Sequence, residues 1–152
     1  MNKPMFEVGS QVSTSRTISE SDLYLFAGLT GDLGPNHMDE EYCKTTSYGR
    51  RVVHGAYLVG LASAASTLMG ERFDKGRFRG ASYGYDKVRF VRPVFIGDTI
   101  TMTYTITELR HGTLRTHADV VGTNQQGAVC FAAVHVAQGL PPREEPRDAD
   151  QP

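Results

Sequence analysis

The chain has 152 residues, 39% of them hydrophobic and 22% charged, with a formal net charge of -1, which bounds it to one globular domain with material for a core. That balance excludes the basic excess of a nucleic-acid-binding protein, and no apolar run approaches the roughly 20 residues that cross a bilayer. MNKPMFEVGSQ has no apolar core of the signal-peptide kind, and Cys43 and Cys130 lack metal-ligand spacing, so two reduced, semi-buried thiols in a cytoplasmic protein are expected.

The first elements are short. MFEVGSQVSTSRTIS enters as extended pieces anchored by Val12 and Ile18, with a turn at Gly9. SESDLYLFAGLTGD predicts a helix: Ser19 caps it, Asp22 forms an imperfect capping box, and Leu23, Phe26 and Ala27 recur at helical spacing until Gly31. GDLGPNHMDEEY is a stiff turn carrying Asp32 and His37, and Asp39-Glu40-Glu41 opens a further helical turn.

VVHGAYLVGLASAASTLMG, from Val52 to Gly70, has almost no charge. A helix apolar on nearly all sides is a buried helix, and its Ala, Ser and Gly content lets a sheet wrap closely. The period then changes to two. Ile100, Met102, Tyr104 and Ile106 alternate with threonines, giving a strand with one buried face. YDKVRFVRPVF before it reads as a strand joined to it through the Gly97-Asp98 turn. LRTHADVVGTN and AVCFAAVHVAQ follow as two further strands, after the RHGTL and NQQG turns, and the last is apolar enough to be an inner strand. LPPREEPRDADQP is a Pro-rich charged tail, expected to be disordered. The sum is a single α+β domain over residues 1–138, an antiparallel sheet of at least four strands wrapped around a long central helix. This is the hotdog architecture, with 139–152 as tail. A single curled sheet leaves an open edge and a partly covered face, so at least a homodimer is expected.

FAGLTGDLGPNH, followed by YGRRVVHGAYLVGL and VRFVRPVFIGDTI, resembles the MaoC-like family of (R)-specific enoyl-CoA hydratases over residues 5 to 137. The family's motif reads roughly D-x-N-P-L-H, with a later V-H-G opening the central helix. The resemblance implies that Asp32 and His37 are the catalytic aspartate and histidine. It implies that Gly55 supplies the backbone N–H that polarises the thioester carbonyl, and that Ser63 lies near the active site. It also implies an acyl-CoA tunnel at a dimer interface. Two positions depart from the motif: the family's asparagine is Gly34 here, and the small apolar residue before the histidine is Asn36. Asn36 can stand in for the missing amide, as a substrate-binding group, only with its side chain turned inward.

Each residue has a plainer reading. Asp32 alone is an Asx-turn residue, Gly55 a site of close helix packing, Ser63 a small core-facing residue, and His54 a structural histidine. His111 reads as turn decoration, and His117 and His135 lie on strand faces. No further ligand has the spacing to make a metal site of His54 with Asp32 and His37. Arg72, Lys75, Arg77 and Arg79 could meet the phosphates of CoA, although a solvated charged loop accounts for them more simply.

The expected function is therefore hydration of an enoyl-CoA, or the reverse dehydration, without metal or organic cofactor and with CoA arriving as part of the substrate. A thioesterase using the carboxylate to activate water is the rival enzyme reading. A non-catalytic acyl-CoA-binding subunit is the rival outside enzymology, favoured by the Asn-to-Gly change; under it, Gly34→Asn would raise activity.

Overall fold

The computed structural model describes residues 7–74 and 80–140, with the backbone alone of Asp74. Lys75, Arg77, Arg79 and residues 141–152 lie outside that range, so all of the expected phosphate cluster but Arg72, and nearly all of the expected tail, are not described. Ser19 starts α1 (Glu20–Thr30), with its backbone N–H held by the Asp22 carboxylate at 2.8 Å. Gly31 ends the helix in the left-handed region at φ 77, which glycine adopts without a Cβ penalty. Two short helices follow, α2 (Pro35–Met38) and α3 (Glu40–Lys44), the second capped by Asp39. The long helix α4 runs from Gly55 to Asp74. The strands are β1 (Gln11–Thr17), β2 (Gly80–Phe90), β3 (Thr99–Arg110), β4 (Arg115–Thr123) and β5 (Val129–Gly139).

All five strands form one antiparallel sheet in the order β1-β3-β4-β5-β2. The period-two pattern of β3 is realised: Ile100, Met102, Tyr104 and Ile106 are buried. The opposite face of β3 pairs its threonines with β1 through hydroxyl contacts, Ser13–Thr103, Ser15–Thr101 and Thr17–Thr99, at 2.7–3.1 Å. Leu58, Ala62, Ala65 and Met69 of α4 pack into the core with these strand residues, and the two alanines let the sheet close on the helix.

Three expectations need correction. β2 and β3 are not a hairpin. β3 is already paired on both sides, with β1 and β4, so β2 crosses to the far edge and pairs with β5. The Gly97-Asp98 turn instead ties to the end of β1, where Ile18 N–H donates to Asp98 O and Gly97 N–H to Ile18 O. The central helix is buried on one face only: Ala56, Gly60, Ser63, Ala64 and Thr67 are exposed or half-buried, because one layer of sheet covers one side of a helix. Finally, Gly139 belongs to β5 rather than to the tail. The two cysteines are free and fully buried.

Candidate active site

The stiff turn sits between the end of α1 and the start of α4. Asp32 hangs from the left-handed Gly31, its N–H donating to Thr30 Oγ1 at 3.2 Å and its Oδ1 accepting from Gly34 N–H at 3.3 Å. The Asx turn is therefore real, but it engages only one carboxylate oxygen. Pro35 opens α2 at the position where its fixed φ and missing N–H cost nothing, and that single turn carries Asn36 and His37. The turn is strapped to the segment before α4 in both directions: Val52 N–H donates to Asn36 O at 3.0 Å, and His37 Nδ1 lies 2.7 Å from Val52 O. Cys43 lies beneath, its thiol 3.3 Å from Asn36 O. Arg51 clamps the flanks, pairing with Glu20 of α1 and Glu40 of α3.

These contacts assign the tautomers. A carbonyl only accepts, so neutral His37 carries its proton on Nδ1 and leaves Nε2 unprotonated, as an acceptor. His54 donates from Nε2 to the Asp32 carbonyl at 3.0 Å, leaving Nδ1 buried and, among the described residues, without a partner. Burial pushes the His54 pKa down, against a smaller upward pull from Asp32, so this ring stays neutral. The rings of His37 and His54 stack with centroids 3.8 Å apart, and Phe26 of α1 packs on His54 at 4.7 Å.

Asp32, His37 and His54 each offer a ligand atom within 4.8 Å of the others, and among the described residues no fourth group joins them. Stacked rings direct their in-plane lone pairs along near-parallel planes, 25° apart, whereas a tetrahedral metal needs them to converge. The geometry suits two proton-handling groups facing one small molecule, with His54 as their support.

Gly55 is the first residue of α4, so its N–H has no intrahelical acceptor and lies at the positive end of a 20-residue helix. It also serves packing: a Cβ placed there would stand 2.9 Å from the Phe90 ring. Asn36 is turned inward, with Nδ2 3.0 Å from His37 Nε2. Ser63 is not part of this cluster. It lies two turns, about 12 Å, further along α4, exposed and beside the buried Tyr85 hydroxyl of β2, without completing a hydrogen bond to it. A cavity of about 450 Å³ between β1, α1, α4 and β3 shares Phe26 with the site, but none of the expected site residues lines it. Sequence reasoning missed the Val52 carbonyl, which carries no side-chain signal, and Phe26, which reads as ordinary helix core. His111 lies in an exposed turn, His117 is half-buried on β4 beside Glu108, and Arg72 is exposed.

The model of the MaoC like domain matches residues 5–129. The chain belongs to the MaoC-like domain family. An (R)-specific enoyl-CoA hydratase of Rhodospirillum rubrum is 42% identical over 118 residues, covering 75% of this chain and 78% of the relative. One from Aeromonas caviae is 33% identical over 110 residues, covering 72% and 78%. A solved (R)-hydratase structure from A. caviae superposes with a TM-score of 0.75 at 31% identity, covering 90% of this chain and 98% of that one. This MaoC-like chain therefore has the hotdog fold expected from its sequence.

Proposed function

We propose that this chain hydrates a trans-2-enoyl-CoA to the (R)-3-hydroxyacyl-CoA, or runs the reverse dehydration. One observation carries the reading: Asp32 and His37 converge beside the free N-terminus of α4. The two relatives named (R)-specific enoyl-CoA hydratase support the substrate class and the stereochemistry.

The Asp32 carboxylate and His37 Nε2 hold one water between them. As the water oxygen bonds to C3 of the enoyl thioester, one of the pair takes its proton. The double-bond electrons move onto the thioester oxygen, where the Gly55 N–H and the helix dipole stabilise the developing charge. The electrons return as C2 takes up the proton that the pair removed from the water, so the H and OH of one water have been added and nothing is oxidised or reduced. The protein groups supply each of these steps, and the reading invokes neither metal nor organic cofactor; CoA comes with the substrate.

We place a second copy of the chain against the β2 edge. Tyr83, Phe90 and Val91 are exposed there, at 63%, 53% and 50%, and one face of α4 is uncovered; a homodimer would bury both and wall the acyl-CoA tunnel. A cytoplasmic setting fits two free, buried thiols, and among the described residues no helix is long and apolar enough to cross a membrane.

The test is one incubation with crotonyl-CoA, following enoyl-thioester absorbance and free thiol together and identifying the product enantiomer with a stereospecific dehydrogenase. Loss of absorbance without thiol release, giving the (R) product, is expected. Thiol release would make the chain a thioesterase, and tight acyl-CoA binding without turnover would make it a binding subunit.

A further inference from the structure

The Asn36 carboxamide occupies the one lone pair that hydration needs. His37 Nδ1 is committed to Val52 O at 2.7 Å, so Nε2 is the nitrogen left to meet a water, and Asn36 Nδ2 sits 3.0 Å from it. An imidazole nitrogen has a single in-plane lone pair, so it cannot accept from the amide and take a proton from water at once. The neighbouring backbone is shaped to this arrangement. A Cβ built on Gly34 would stand 2.8 Å from Asn36 Oδ1, 3.3 Å from Asp32 Oδ1 and 3.4 Å from the His37 ring. Any other residue at position 34 would push the carboxamide away.

We infer that Asn36 is a positioning residue that masks His37 Nε2 until substrate binds, and that Gly34 is the space which permits the mask. Substrate and water displace the amide before the base can act. This rests on the hydratase reading, because it takes Nε2 as the nitrogen that handles the water proton. On this inference Gly34→Asn, like Gly34→Ala, raises kcat/KM by displacing the Asn36 carboxamide rather than by restoring a lost group.

The test compares wild type, Asn36→Ala, Gly34→Ala and the double variant on crotonyl-CoA, alongside ¹⁵N NMR of the histidine imidazoles. Releasing one hydrogen bond from the resting state should raise kcat/KM about two- to tenfold in Asn36→Ala. Gly34→Ala should do the same, and the double variant should gain no more than either single one, because both remove one contact. The unprotonated His37 Nε2 resonance should move toward that of a free lone pair in all three variants. A kcat/KM that falls or stays unchanged, or gains that multiply, overturns the inference. If no protein, wild type included, hydrates crotonyl-CoA, the hydratase reading fails; the nitrogen resonance still decides the mask, and an unmoved resonance rejects it.

Discussion

His54 lies face to face with His37, ring centroids 3.8 Å apart, and donates its Nε2 proton to the backbone carbonyl of Asp32. One buried ring thus touches both members of the proposed acid–base pair, one through its face and the other through its edge. The pair is held by the segment that opens α4, which also presents Gly55. His54 thereby ties the proposed acid–base pair to the start of α4, alongside the Val52 carbonyl that holds His37 Nδ1.

His54→Phe separates these roles. The stack survives, while the link to the Asp32 carbonyl is lost, and the orphaned Nδ1 disappears with it. kcat should fall about tenfold as Asp32 loosens, with KM and melting temperature little changed; steady-state kinetics and calorimetry on the same preparations check this.

The packing of Gly55 and its proposed role at the thioester can be divided by a double variant. In Gly55→Ala the new Cβ meets the Phe90 ring at 2.9 Å, which should cost about 1 kcal/mol of stability and lower kcat/KM at least tenfold. Adding Phe90→Ala should remove the clash between the new methyl group and the ring without restoring the rate, since in the proposed mechanism the Cβ still crowds the approach of the thioester oxygen to the Gly55 N–H. Recovery of full activity in the double variant would reduce Gly55 to packing.

A separate histidine governs acid stability. His135 of β5 is buried, hydrogen-bonded through Nδ1 to the Tyr104 hydroxyl at 2.8 Å and through Nε2 to Ser82 at 3.0 Å, with Tyr85 stacked on it. Burial holds its pKa down to about 4 against an ordinary 6.5. Between those values the unfolded chain binds the extra proton, so stability is full above about pH 6.5 and falls as pH drops toward 4, by about 3 kcal/mol. Below that, Asp22 takes over. Burial pushes its pKa up, but the Ser19 N–H, Arg16 and the Ser19 hydroxyl outweigh this and hold it at about 2, so its contribution is lost as pH falls from about 4 to 2. Urea unfolding across pH 7.5 to 4 should show this slope, and His135→Gln should flatten it.

The β2 edge predicts the oligomer. Wild type should sediment as a dimer, and Tyr83→Glu with Val91→Glu should split it into monomers with far-UV circular dichroism unchanged. If the dimer forms the tunnel, activity should fall with it and recover partly at high protein concentration.

Local chemistry in this fold was readable from sequence wherever a period or a cap decided it. Gly31 stopping α1, the alternation of β3 and the Asp32–His37 spacing all depend on residues within a few positions of one another. The errors came from closures through space. β2 pairs with β5 rather than β3 because β1 had already taken β3's free edge, and no property of residues 85–95 records that. The exposed face of α4 reads as buried because small residues are consistent with either state. The inward Asn36 depends on a glycine two positions away having no side chain, and the anchor for His37 is a carbonyl whose residue could have been any amino acid.

The most direct measurement of the central claim is crotonyl-CoA hydration by Asp32→Asn, His37→Gln and the double variant, beside wild type. Each single variant should lose about 10²–10⁴ in kcat with melting temperature and KM little moved. The double variant should lose far less than the product of the two, because in the proposed mechanism the residues act on one water. Wild-type turnover in either single variant would contradict the account.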